Sequence, residues 1–192
     1  GLGDVYKRQA LFRTFHLVLF LRFKRSLSQE ILIELALNNM EKLFYTWDVQ
    51  FDVTNILCVL LEADLFIPDV VVGISRGGLI PGVMISHKLE IPFKPVHAST
   101  RDFPHWENYL PKPKDEKILI VDDICDSGET FVRLSEYIRD NINFECDVRF
   151  ASLWWNNECE FKPHYFIRDL AKDTADVWID FPHESWWEEK AK

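Results

Sequence analysis

Between Lys117 and Thr130 the chain reads KILIVDDICDSGET: a four-residue apolar run behind Lys117, two adjacent carboxylates, then a turn of small polar residues ahead of a helical pattern. Few folds accommodate that order. An apolar run with no polar face must be covered on both sides, as the strands of parallel α/β sheets are. Ligands of such sheets bind beyond the carboxyl ends of the strands. There, Asp126-Ser127-Gly128-Glu129-Thr130 offers successive backbone N–H groups at a helix start, a nest for a phosphate. Gly128 allows close backbone approach, and the Ser127 and Thr130 hydroxyls can add hydrogen bonds. Asp122 and Asp123 stand one short step away, which suits a ribose phosphate with its sugar hydroxyls on the acids. The plainer reading is an N-cap at Asp126 or Ser127 and a solvated strand end. The length of the motif, and its place between strand and helix, favour the functional reading.

The flanking sequence repeats the strand–helix alternation that marks βαβ units. The pattern predicts a helix over Val53–Glu62, a strand over Asp69–Ile74, a helix over Leu79–Leu89 and a strand over Phe93–His97. Beyond the central strand, Lys117–Val121, it predicts a helix over Phe131–Asn141, with Phe131, Leu134, Tyr137 and Ile138 on one face. A strand over Asp147–Trp155 and short strands over Tyr165–Ile167 and Val177–Phe181 complete the pattern. Residues 98–116 are polar, aromatic and punctuated by prolines, so they read as a long loop of the kind that is usually functional or disordered. The expected fold is a single α/β domain: a twisted, mainly parallel sheet flanked by helices, with a small hood from the last third over the carboxyl edge.

Charge and cysteine content narrow the function classes. A net charge of −9 and a pI near 5.1 argue against a general nucleic-acid surface, so a phosphate must be held by local devices. The four cysteines form no CxxC pair and have no His/Cys cluster beside them, which argues against structural zinc and against a disulfide framework. Reduced thiols in a cytoplasmic protein are the expectation. The apolar stretch Leu17–Leu21 is far short of the ~20 residues that span a bilayer.

The first residues differ in character from the rest. Six of the 22 Lys and Arg, but only three of the 31 Asp and Glu, fall in residues 1–39. The opening GLGDVYKRQ resembles an adaptor-derived prefix of translated metagenomic reads, and Met40 is the first methionine. Residues 1–39 are therefore expected to be a non-native or disordered extension, and 40–192 the functional domain. The alternative for 26–39 is an amphipathic helix capped by Ser28.

At the residues already quoted, the sequence resembles the type I phosphoribosyltransferases. Ile118–Thr130 is similar to their signature. Val72–Gly82 (VGISRGGLIPG) resembles their pyrophosphate loop in the form found in the xanthine-guanine enzymes, and Tyr45–Asp48 and Asp176–Pro182 match that subgroup in place and order. The resemblance covers roughly residues 44–187. It implies transfer of a 5-phosphoribosyl group from phosphoribosyl pyrophosphate to a nucleobase nitrogen, a purine such as xanthine, guanine or hypoxanthine, as in purine salvage. Mg²⁺ is the implied cofactor and a homodimer or homotetramer the implied assembly. Neither a membrane nor a nucleic acid is implied as a partner.

The same resemblance implies roles. Asp122 and Asp123 would hold the ribose hydroxyls, directly or through the metal. Asp126 would be the general acid/base near N7 of the base. Ser127, Gly128, Glu129 and Thr130 would bind the 5-phosphate, with the Glu129 side chain turned outward. Ser75, Arg76 and Gly77 would grip pyrophosphate, Arg76 as a fixed cation for the leaving group. Ser99, Thr100 and Arg101 would belong to a closing lid. Trp178 would stack on the base, with the Ile179 backbone reading its edge.

One position departs from the pattern. The 6-oxopurine enzymes carry a Lys where this chain has Asn156. An amide can donate to an oxo group or accept from an amino group, so residue chemistry alone leaves the base open. Lys162 could substitute if the chain folds back. A sensor of the sugar diphosphate or of a nucleotide on the same fold, and a transferase acting on a non-purine acceptor, are the competing readings. The presence of Asp126, Arg76 and both ribose-binding acids favours a transferase of purines.

Overall fold

The computed structural model describes residues 42–97, 117–141, 145–170, 178–184 and 186–187. The expectations for 1–39, for the 98–116 loop and for Ser99, Thr100 and Arg101 lie outside the described residues. In chain order the elements are β1 (Lys42–Phe44), α1 (Trp47–Ala63), β2 (Val70–Ser75), α2 (Leu79–Leu89), β3 (Phe93–His97), β4 (Lys117–Cys125), α3 (Glu129–Asn141), β5 (Asp147–Asn156), β6 (Tyr165–Leu170) and β7 (Trp178–Asp180). β3-β2-β4-β5-β6 form one sheet in that order, and every pairing in it is parallel. The expected parallel α/β architecture is borne out.

Alternation along the strands explains the layers. Leu119, Val121, Ala151 and Leu153 face one way, into a core shared with Val53, Leu57 and Leu61 of α1 and Ile85 of α2. Ile118, Ile120 and Phe150 face the other way, against Phe131, Leu134 and Ile138 of α3. Both faces of the sheet are therefore covered, which is why the central strand is apolar from Ile118 to Val121.

Several boundaries shift by a residue or more, and three differences from the sequence expectation have a clear physical cause. α1 begins at Trp47 rather than Val53, because the Thr46 hydroxyl accepts the Val49 N–H at 3.3 Å and caps the helix a turn and a half earlier. β4 runs on to Cys125, so Asp122 and Asp123 lie within the strand. The reason is β5, which stays paired with it as far as Cys125 opposite Trp155. Finally, the second, two-stranded sheet is not drawn from the last third alone. β7 pairs in parallel with β1 from the start of the described chain, Ile179 opposite Leu43, and the Tyr45 N–H donates to the Asp180 carbonyl at 2.9 Å. A three-residue strand has too little pattern to be read locally.

At the edge of the sheet remote from the Asp pair, Arg149 ties β5 to α1. It bonds Asp64, Asp147 and the Tyr165 hydroxyl and lies over the Phe66 ring at 4.2 Å. That cluster is architectural. The packing gives a direct expectation: Leu119, fully buried at the centre of the sheet, should lose about 2–5 kcal/mol of stability on truncation to alanine. Urea unfolding midpoints of wild type and Leu119→Ala measure it.

Candidate active site

The carboxyl ends of β2 and β4 lie side by side, and the turns that leave them are pressed together. After β2 the chain turns through Arg76-Gly77-Gly78 into α2, with a cis peptide bond between Ser75 and Arg76. A Cβ on Gly77 would sit 2.1 Å from the Asp123 carboxylate, and one on Gly78 would sit 2.1 Å from the Val121 carbonyl oxygen. No side chain fits between the two segments. Two glycines thus bring Ser75, Arg76 and Gly77 against Asp122 and Asp123. Arg76 is exposed and Ser75 half-buried, with Arg76 free to project from the turn.

The two carboxylates are expensive to hold ionised. Burial pushes both carboxyls up, and the Asp123 charge beside Asp122 adds to the rise there. The Asp123 N–H donates to Asp122 Oδ1 at 3.0 Å and the Ile124 N–H to Asp123 Oδ1 at 2.8 Å, which offsets part of the cost. Glu184 adds to the upward push on Asp123, while His183 opposes it. The turn after β7 therefore reaches the Asp pair electrostatically. No local pattern announces this, since His183 and Glu184 belong to no spacing motif.

β4 is followed by Asp126-Ser127-Gly128 and then α3. Gly128 has φ +78°, and a Cβ there would meet Phe161 Cβ at 2.7 Å, so both conformation and space call for glycine. The Ser127 hydroxyl accepts the Glu129 N–H at 3.3 Å, capping α3. Thr130 lies in the first turn of that helix. Glu129 is exposed and pairs with Arg133 at 3.7 Å, so its carboxylate turns outward as expected. The helix start leaves its backbone donors available to an anion.

β5 delivers Asn156 to the same place. Its Nδ2 donates to Asp126 Oδ1 at 3.4 Å, and its Oδ1 accepts the Glu158 N–H at 3.1 Å. Both bonds require the same amide orientation. Lys162 is placed elsewhere, its ammonium over the rings of Trp155 and Phe166 at 5.2 and 5.7 Å. Of the adjacent tryptophans, Trp154 is core at 4% exposed. Trp178 is 63% exposed at the start of β7, and Ile179 is buried with its backbone paired to Leu43. Trp186 and Trp187 are exposed and stand edge to face, their centroids 6.0 Å apart.

A divalent cation can be tested against these residues. Among the described residues no group of three His, Cys, Asp or Glu side chains could hold a metal ion. Asp122 and Asp123 offer two carboxylates whose raised affinity for protons marks an unmet demand for positive charge. That donor set fits Mg²⁺ carried in by a phosphate ligand and keeping some of its waters, rather than an all-protein cage.

The electrostatics give a pH expectation with a definite sign. Carboxyls raised above their ordinary value of 3.8 bind more protons folded than unfolded. Their contribution therefore makes the metal-free protein less stable as pH climbs from about 4 toward 7. Asp123→Asn should flatten that decline and raise the melting temperature near neutral pH. Thermal melts across that range measure both.

Comparison with known proteins agrees with this geometry. The family profile of the phosphoribosyl transferase domain matches residues 52–186. A xanthine-guanine phosphoribosyltransferase of Idiomarina loihiensis is 29% identical over 120 residues, covering 58% of this chain and 68% of that protein. One from Cereibacter sphaeroides is 31% identical over 123 residues, 58% of this chain and 66% of that protein. The chain thus spans about two thirds of these relatives' length. Among solved structures, a purine phosphoribosyltransferase from Pyrococcus horikoshii superposes with a TM-score of 0.62 at 28% identity, covering 80% of this chain and 98% of that one. The xanthine-guanine-hypoxanthine enzyme of Helicobacter pylori shares the fold, with a TM-score of 0.64 at 21% identity over 76% of this chain and 95% of that one. With the profile covering more than two thirds of its length, the chain belongs to the phosphoribosyl transferase family.

Proposed function

We propose that the chain transfers a 5-phosphoribosyl group from phosphoribosyl pyrophosphate to a 6-oxopurine nitrogen, releasing pyrophosphate. The observation that carries the base assignment is the amide of Asn156. Its oxygen accepts the Glu158 N–H with one lone pair and one of its hydrogens goes to Asp126, so a second N–H donor remains beside the other lone pair. That donor suits the oxo group of xanthine, guanine or hypoxanthine. The relatives named as xanthine-guanine enzymes support the same substrate class.

The remaining roles extend the same reading. The 5-phosphate takes the nest at Ser127, Gly128, Glu129 and Thr130, where the donors of the helix start are available to it. Asp122 and Asp123 hold the ribose hydroxyls, and with the substrate's oxygens they would hold Mg²⁺, which supplies positive charge to the departing diphosphate. The pair's appetite for positive charge supports that role. Arg76, with Ser75 and Gly77, grips the pyrophosphate as the bond at C1 lengthens and its charge grows. Positive character builds on the sugar at the same time, and the negative charge of the two carboxylates favours it. Asp126 accepts the imidazole proton of the attacking purine. Its contact with Asn156 joins proton handling to base selection. Trp178 offers an exposed aromatic face to the base and the Ile179 backbone its edge. Ser99, Thr100 and Arg101 belong to the closing lid.

We read the surroundings in the same way: domain 40–192, a cytoplasmic setting, and a homodimer or homotetramer in which Trp186 and Trp187 make a subunit contact. Among the described residues no helix is long and apolar enough to cross a membrane.

The test is pyrophosphate release with phosphoribosyl pyrophosphate, Mg²⁺ and each of guanine, xanthine, hypoxanthine and adenine. Turnover is expected with oxopurines and not with adenine. Asp126→Asn should lower kcat by about 10²–10⁴-fold. Asn156→Ala should lower kcat/KM for the oxopurine by about tenfold, the worth of one hydrogen bond, with KM for phosphoribosyl pyrophosphate little changed. Turnover of adenine alone would overturn the base assignment. Tight binding of the sugar diphosphate with no turnover of any base would overturn the transferase reading in favour of a sensor.

A further inference from the structure

Two thiols bracket the phosphate nest from behind. Cys125 is the last residue of β4, immediately before Asp126, and is 3% exposed. Cys159 lies in the turn after β5, half-buried, and its N–H donates to the Asn156 carbonyl at 3.1 Å. Their sulfurs are 3.9 Å apart. Both thiols share one acceptor, the Phe161 carbonyl oxygen, at 3.6 Å from Cys125 and 3.1 Å from Cys159, and the Trp155 indole N–H donates to the same oxygen at 3.0 Å. The turn carrying Cys159 is also the buttress of Gly128: a Cβ on that glycine would meet Phe161 Cβ at 2.7 Å and Cys159 Sγ at 3.4 Å. One turn therefore touches both the nest and the residue proposed to read the base.

We propose that Cys125 and Cys159 are an oxidative modification site, closing to an intramolecular disulfide that deforms the phosphate nest and lowers affinity for the sugar diphosphate. The oxidant is a low-molecular-weight disulfide of the glutathione type. Cys159, the more accessible thiol, attacks one of its sulfurs as the thiolate. That S–S bond breaks and one thiol leaves, giving a mixed disulfide on Cys159. Cys125 Sγ then attacks Cys159 Sγ, its proton passing to the second departing thiolate. One protein dithiol and one external disulfide become one protein disulfide and two external thiols.

Bonded sulfurs stand about 2.05 Å apart, so closure draws the two sulfurs together by roughly 2 Å, and what side-chain rotation does not supply the two segments must. Gly128 leaves no slack on that side: Phe161 already occupies the space where its side chain would be. The movement therefore transmits to the nest at 126–128 and to Asn156, through the Cys159 N–H. Misplacement on that scale costs on the order of tenfold to a hundredfold in substrate use.

The experiment treats the whole protein with oxidised glutathione, counts free thiols, maps linked peptides by mass spectrometry and measures KM for phosphoribosyl pyrophosphate. The expected result is loss of two of the four thiols, a mass lower by two hydrogens, a 125–159 cross-link, and a KM raised at least about tenfold that dithiothreitol restores. Cys159→Ser should keep the reduced activity and resist the oxidant, and Cys58→Ser, altering a thiol in the opposite core, should respond like wild type. Four free thiols after treatment, glutathione retained on Cys159, or closure without a change in KM would each overturn the proposal. The kinetic arm rests on the transferase reading. A protein with no activity in either state would sink that reading, and the thiol count and peptide map would then decide the cross-link by themselves.

Discussion

The structure depends on a contact in which the turn after β2 lies so close to β4 that it can carry no side chain of its own at Gly77 or Gly78. The turn at Gly77 and Gly78 lies directly against Asp123 and the Val121 carbonyl, at distances that exclude even a methyl group. Parallel strands place their carboxyl ends along one edge, but they do not by themselves bring two loops within contact. Here that contact sets the turn carrying Arg76 against the strand end carrying Asp122 and Asp123. The carboxylates stay under-neutralised as a result, with protonation favoured by burial and by mutual repulsion. A site of that kind is preorganised for a ligand bringing positive charge on one part and negative charge on another.

The rest of the molecule holds that edge in place. Cores on both faces of the sheet fix the strands, and α1 and α2 pack against one face while α3 packs against the other. α3 begins inside the DSGET motif, so the helix that stabilises the second core also supplies the donors of the nest. The aromatic trio Phe131, Phe150 and Phe161, with centroids 5.1–5.3 Å apart, clamps the turn after β5 onto the start of that helix. Position 156 is in this way tied to the nest through packing as well as through Asp126.

Local patterning made much of this legible. The buried strand at 117, the helix at Leu79–Leu89 and the strand at Phe93–His97 follow from residues adjacent in sequence, and the structure has the latter two at the expected bounds. The parts that could not be read arise from partners distant in the chain. β1 exists because β7 pairs with it, and β4 continues past the Asp pair because β5 stays alongside. The orientation of the Asn156 amide depends on two bonds, one of them to a residue 30 positions away. The approach of Cys125 to Cys159 spans 34 positions and has no spacing motif to announce it.

The account stands on the claim that the Gly77–Asp123 contact builds the binding surface for the sugar diphosphate. Titration calorimetry of phosphoribosyl pyrophosphate with Mg²⁺ into Gly77→Ala, alongside wild type, tests it most directly. The added methyl group displaces the Asp123 carboxylate, so the account predicts affinity lower by at least about tenfold, about 1.4 kcal/mol, in a protein whose circular dichroism is that of the wild type. Unchanged affinity in the folded variant would contradict it.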